Sequence, residues 1–181
     1  FDKVVLSVGR MGEDRERKKI RHLVEIFRGR EWKGVGLVIV GSGVARDLQE
    51  GMNGGNTRYL GQVHDRGNVQ ISKIFRMADV FSIPGHVGLG LNQAFYFGLP
   101  VVTEEGGQPP EIHYLIDGRN GFIVPKNDLS ELKNKIGYLL ENDEIRKQFG
   151  ENARRDILEH ASIENMFLGF RDCLDSLRRS N

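Results

Sequence analysis

The sequence predicts a doubly wound α/β domain, and three observations predict it. Short apolar runs alternate with segments of helical periodicity along most of the 181 residues. The apolar runs are continuous rather than alternating, which marks strands covered on both faces. After Pro125 the runs cease and only helical stripes remain. The expected fold is therefore a Rossmann-like parallel sheet of about six strands, with helices on both faces and extra C-terminal helices.

VVLSVG (4–9) is the first strand, and the helix after it keeps Ile20, Leu23, Val24 and Phe27 at i, i+3, i+4, i+7 spacing. GLVIVG (36–41) is the second, ending in Gly-Ser-Gly and a short helix through Leu48. TRYLG (57–61) is a shorter third strand, and the next helix carries Ile71, Ile74 and Phe75. DVFSI (79–83), PVVT (100–103) and GFIV (121–124) continue the series with helices between them. Leu129, Leu132, Ile136, Leu139 and Leu140 then form one stripe; Ile163, Met166, Phe167, Phe170, Leu174 and Leu177 form the last. Both stripes read as core-facing. Cys173 falls inside the last pattern and reads as a core or boundary residue rather than a nucleophile. No repeat, low-complexity segment or linker interrupts the series, so residues 1–181 read as a single domain.

Charges nearly cancel, 26 Lys and Arg against 25 Asp and Glu, which gives no support to a nucleic-acid footprint. One cysteine excludes an internal disulfide and fits a reducing, cytoplasmic compartment. No apolar run reaches the length of a membrane span and the opening residues do not read as a signal peptide, though peripheral membrane association stays compatible. The chain opens with FDKVVLSVGR, directly into a strand without a Met, and reads as a piece cut at a domain boundary.

In open parallel sheets ligands bind beyond the carboxyl ends of the strands. At the first end, in SVGRMGEDRERKKIR, Gly9 and Arg10 follow the strand while Lys18 and Lys19 approach the next helix. Cations there suit a phosphate; Arg10 and Lys18 are the candidates, and Arg15, Arg17 and Arg21 read as a solvated basic helix face. In VIVGSGVARDL, Gly41 and Gly43 form a tight turn bordering the crevice. Arg46 replaces the third glycine of a dinucleotide fingerprint, which argues against a nicotinamide cofactor, and no P-loop run exists. In PGHVGLGLNQAFYFG, Gly85, Gly88 and Gly90 lie between a strand and a helix, where bare amides can cradle an anion. In TEEGGQPPEI, Glu104, Glu105 and Glu111 share the same edge. A carboxylate accepting a sugar hydroxyl fits them better than a hydrolytic pair. Histidines 22, 64, 86, 113 and 160 lack metal-ligand spacing, so no metal is expected; only His86 sits among glycines at a strand end.

Taken in order, G-R…K, strand-GSG, LG-V, ADVF-I-P, G-L-G…A-x-x-x-G-x-PVV, GG-x-PEI and DG-x-NG-x-x-V resemble one family. It is the C-terminal, nucleotide-sugar-binding domain of family 4 (group 1) glycosyltransferases of the GT-B fold. The resemblance runs from about Val5 to Val124. It implies that Arg10 and Lys18 grip the donor diphosphate and that the amides of Val87, Gly88 and Leu89 meet it. The family's Glu-x7-Glu pair falls on Gly85 and Gln93; Gln93 can still hydrogen-bond a ribose, whereas Gly85 has no side chain. Asn92 and His86 are the nearby polar residues that could take the first glutamate's place, and Glu111 is the family's glutamate of the PEI motif.

The implied reaction is retaining transfer of a sugar from a UDP- or GDP-type donor to an acceptor hydroxyl, in polysaccharide or glycoconjugate biosynthesis. No cofactor is implied. The implied partner is an N-terminal acceptor-binding domain of the same enzyme, without which the 181 residues bind nucleotide weakly and transfer nothing. Two other readings stay open: a non-catalytic nucleotide-sugar-binding module, and another GT-B enzyme such as an epimerase.

Overall fold

The computed structural model describes residues 1–11, 17–29, 31–52, 55–64 and 66–179. Among them six strands form one sheet: β1 (Lys3–Val8), β2 (Val35–Val40), β3 (Thr57–Tyr59), β4 (Val80–Ser82), β5 (Val101–Glu104) and β6 (Gly121–Val124). Their order is β3-β2-β1-β4-β5-β6, and every neighbouring pair is parallel. The chain builds outward from β1 to β3, then crosses back to β4 on the other side of β1. That reversal leaves a crevice above the carboxyl ends of β1 and β4.

The continuous apolar runs are explained by burial on both sides. In β1, Val5 joins a core with Leu37, Ile39, Val80 and Val102, while its neighbours Val4 and Leu6 join a second core with Phe81, Ile83 and Val101. The first core is closed by α1 (Ile20–Phe27), α2 (Arg46–Met52) and α5 (Leu129–Glu141), through Leu23, Phe27, Leu48, Met52, Leu132, Ile136 and Leu139. The second is closed by α3 (Val69–Arg76), α4 (Gly90–Tyr96) and α6 (Asp143–His160), through Phe75, Leu91, Phe95, Ala153 and Ile157. Local chemistry sets at least one boundary: the Asp128 side chain accepts the Glu131 N–H at 2.8 Å and starts α5.

The final helix, α7 (Ile163–Arg179), corrects the sequence reading. Its stripe of Ile163, Met166, Phe167, Phe170, Leu174 and Leu177 is 58 to 76 % exposed, and Cys173 is exposed as well. Periodicity establishes that the face is apolar without saying what covers it. Here both sheet faces are already occupied by the other six helices, so α7 finds no core to join.

Close packing of α6 on α4 depends on a missing side chain. A Cβ on Gly150 would lie 2.1 Å from the Gly98 carbonyl oxygen, whereas one on Gly169 in α7 meets nothing within 4 Å. Gly150→Ala is therefore expected to lower stability by about 2 kcal/mol. Gly169→Ala is expected to raise it by about 0.5–1 kcal/mol through helix propensity. Urea midpoints at constant m-value check both; equal shifts would contradict the packing.

Candidate functional site: a cationic crevice at the sheet reversal

The site begins with a buried carboxylate. Glu104, at the end of β5, is fully buried. Its Oε2 accepts from Lys19 Nζ at 2.6 Å and from the Asn127 backbone N–H at 2.8 Å, and its Oε1 bonds His22 Nδ1 at 2.6 Å. Lys19 also donates to Asn127 Oδ1 at 2.7 Å. Burial pushes the Glu104 carboxyl up, but the bonds from Lys19, Asn127 and His22 together outweigh it and hold it below the ordinary 4.5. The node also fixes two backbone turns that side chains rarely adopt, Lys19 at φ 50° and Asn127 at φ 63°. A left-handed non-glycine residue costs about 1–2 kcal/mol, and the ion pair offsets that cost.

With Lys19 held in this turn, the preceding residue is thrown toward the crevice. Lys18 Nζ donates to the carbonyls of His86 and Val87. The main chains interlock as well: His86 N–H donates to the Arg17 carbonyl at 2.7 Å and Gly85 N–H to the Lys18 carbonyl at 3.1 Å. This close approach explains Gly85, where a Cβ would lie 2.1 Å from the Arg17 oxygen. No residue with a side chain fits at 85 while this ladder stands. Arg17 Nη2 donates to His86 Nε2 at 3.1 Å, so that ring nitrogen is the unprotonated one. Burial, then the charge of Arg17, lowers the Lys18 pKa, with Glu111 opposing. Burial, Arg17 and Lys18 likewise lower that of His86. A cation held below its ordinary pKa among other cations gains from an arriving anion.

The crevice has a volume of about 770 Å³. Of the residues singled out from the sequence, Gly9, Arg10, Lys18, Gly41, His86, Val87, Leu89, Gly90 and Gln93 line it. Gly88 stands beside it at φ 59°, and a Cβ there would sit 3.6 Å from Lys18 Nζ. The amides of Gly88 and Leu89 have no acceptor among the described residues, but the Val87 amide is not free: it donates to Gln108 Oε1 at 3.1 Å. Gly90 lets α4 sit on the sheet, its Cβ position 3.0 Å from the Phe81 ring. Gly43 lines a small adjoining hollow with Met11 and Ala45 rather than the crevice. One Glu111 oxygen is buried without a partner, close enough for its charge to act on Lys18 and His86.

Other expectations are revised. Glu104 is structural, and Glu105 is exposed, leaving Glu111 as the carboxylate with capacity to accept. Asn92 does not line the crevice; it lines a neighbouring cleft with Phe75, Tyr96 and Ile157, which shares Gln93 with the crevice. Arg17 is not on a helix face, since α1 begins only at Ile20, and it lines the crevice. Arg21 does sit on a solvated surface, paired with Asp47 at 3.0 Å; Arg15 lies outside the described residues. Gln108 went unread because nothing local marks it, yet it joins the two strand-end loops by donating to the Gly85 and Glu104 carbonyls at 2.9 and 2.7 Å. Gln62 and His64 also line the crevice beyond β3; the LG-V motif at residues 60–63 marks that loop without singling out either side chain. Among the described residues no three His, Cys, Asp or Glu cluster as metal ligands, and no helix is long and apolar enough to cross a membrane.

The profile of the family described as "Glycosyl transferases group 1" matches residues 2–142. A phosphatidyl-myo-inositol mannosyltransferase of Mycobacterium leprae is 32 % identical over 155 residues, covering 81 % of this chain and 40 % of that protein. Among solved structures, a variant of S. aureus TarM in complex with fondaparinux, alpha-GlcNAc-glycerol and UDP superposes with TM-score 0.81 at 22 % identity, over 94 % of this chain and 35 % of that one. The C-terminal domain of a glycosyl transferase group 1 family protein (LpcC) from Francisella tularensis gives TM-score 0.70 at 17 % identity, over 89 % of this chain and 86 % of that one. The chain thus spans under half the length of the curated relative and most of the isolated C-terminal domain.

Removing the buried carboxylate leaves Lys19 without its counter-charge and His22 Nδ1 without its partner. Glu104→Ala is expected to cost about 3 kcal/mol at pH 7. Because the folded carboxyl titrates below its free value, its contribution is present above pH 4.5 and is lost as pH falls through the depressed folded pKa. The gap between variant and wild type should therefore close on acidification. Paired urea titrations across that range check this, and a gap independent of pH would contradict it.

Proposed function

The chain belongs to the group 1 glycosyl transferases, and on that premise we propose that residues 1–181 form the nucleotide-sugar-binding domain of a retaining glycosyltransferase. The observation that supports this most is the crevice itself. A cavity of about 770 Å³ at the sheet reversal brings Arg10 and Lys18 to one edge, beside the unpartnered amides of Gly88 and Leu89. This is a seat for a diphosphate, large enough for the nucleoside as well.

In the proposed reaction the bond between the anomeric carbon and the diphosphate oxygen breaks. The acceptor oxygen bonds to that carbon and gives up its proton, and the nucleoside diphosphate leaves. Negative charge therefore grows on the leaving group. Lys18 meets it by exchanging the carbonyls of His86 and Val87 for phosphate oxygens, and Arg10 and the two free amides add fixed donors. Gln93 on the wall of the crevice is positioned for ribose hydroxyls, and Glu111 retains a free oxygen to accept from the donor. The UDP in the TarM complex makes a uridine nucleotide the first donor to test, with guanosine next. The acceptor and the group that activates it are assigned to a further domain of the same enzyme, which the exposed apolar face of α7 would fit. A relative named for phosphatidyl-myo-inositol is in keeping with a cytoplasmic enzyme that meets its membrane peripherally. The alternative, a binding module without turnover, is favoured only by Gly85 and Gln93 standing where the family's glutamates fall.

Calorimetry with UDP and GDP tests the assignment. Arg10→Ala and Lys18→Ala are each expected to weaken diphosphate binding by about 1–3 kcal/mol, the value of a charge-assisted contact; unchanged affinity in both overturns the site. Affinity should hold while Lys18 is charged and fall as pH rises through its depressed pKa, below the ordinary 10.5. Lys18→Arg should remove that alkaline fall, because a guanidinium stays protonated. Sugar transfer is expected from the enzyme with its acceptor domain and not from these 181 residues alone; turnover by the chain alone contradicts the division of labour.

A further inference from the structure

The Arg17–His86 pair separates the donor crevice from a second cavity of about 740 Å³, and both residues line both spaces. The remaining wall of the second cavity is Lys19, Gly85, Lys126, Asn127 and the Gly106–Gly107 backbone. Two features of its chemistry stand out. First, its charge is unbalanced. The Lys19 charge is cancelled by Glu104, but Arg17 and Lys126 have no carboxylate partner among the described residues, and none lines the space. Second, its acceptors are already used. His86 Nε2 accepts from Arg17, and Asn127 Oδ1 accepts from Lys19. What the side chains present to an occupant is therefore donors alone. Gly106 and Gly107, at φ 87° and 62°, add open backbone; a Cβ on Gly107 would meet nothing within 4 Å. A neutral sugar needs acceptors as well as donors around its hydroxyls, whereas a carboxylate or phosphate needs donors only.

We propose that this second cavity receives an anionic group of a substrate, seated between Arg17 and Lys126 beside Gly106–Gly107. The proposal rests on the donor reading of the first crevice, because the shared Arg17–His86 wall puts the anion next to the donor's sugar end. Two sources carry that chemistry: the carboxylate of a hexuronic acid on the donor, or a phosphate on the acceptor.

Calorimetry on the 181-residue chain separates them. One arm compares UDP-glucuronate with UDP-glucose; the other titrates glucose 6-phosphate into chain saturated with UDP. Preference for UDP-glucuronate by about tenfold or more, the effect of one charge-assisted contact, assigns the anion to the donor when it is lost in Lys126→Gln. Saturable binding of glucose 6-phosphate that is lost in the same variant assigns it to the acceptor. Equal affinity for the two UDP-sugars together with no glucose 6-phosphate binding overturns the proposal, as does either effect surviving Lys126→Gln. Wild-type binding of UDP itself keeps the two readings apart: if UDP binds and the anion effects are missing, only the second cavity is refuted. If neither UDP nor GDP binds, the donor reading falls and takes this inference with it.

Discussion

One buried carboxylate organises the strand ends. Glu104 neutralises Lys19, bonds the His22 ring and anchors the Asn127 backbone, so it ties the segment after β1 to the segment after β6 across the end of β5. An unpaired charge in that position would cost several kcal/mol, so the three groups stand or fall together. Its functional consequence is indirect. By holding Lys19 in a left-handed turn it fixes the direction of Lys18 and Arg17, and these two set the edge of the crevice and the wall beside it.

The glycine-rich stretch after β4 has more than one cause. Gly85 is dictated by the carbonyl of Arg17 and Gly90 by the ring of Phe81, both packing demands. Gly88 alone combines a left-handed φ with the neighbourhood of Lys18 and a free amide. A phosphate seat in this fold is therefore narrower than a run of three glycines implies, and it is completed from the opposite loop. The Gln108 side chain holds that arrangement by accepting the Val87 N–H, which leaves the next two amides for a ligand.

How much of this is legible in the sequence follows from range. The strands and most helices through α5 are legible because burial on both faces of a parallel sheet writes itself as continuous apolar runs between amphipathic stripes. Val4, Val5 and Leu6 show this within three residues. The helix expected between β5 and β6 is only a short 3-10 turn, Pro110–Tyr114. Arg10 and Lys18 are legible because strand ends in this topology are where ligands bind. What is not legible is long-range pairing: Glu104 reads as a candidate sugar ligand until Lys19 and His22 are seen to consume it. Arg17 reads as a surface cation until His86, 69 residues away, is found against it. The stripe of α7 fails in the opposite sense. Its pattern is as clean as that of α5, yet only the three-dimensional count of sheet faces reveals that it is left uncovered.

The most direct test of the central claim is a crystal structure of the chain with UDP or GDP bound. A phosphate oxygen is expected within hydrogen-bond reach of the Gly88 or Leu89 amide, with Lys18 Nζ moved from the His86 carbonyl onto the diphosphate and Glu104 still joined to Lys19 and His22. A nucleotide bound elsewhere, or a diphosphate in the crevice with Lys18 still on His86, would contradict it.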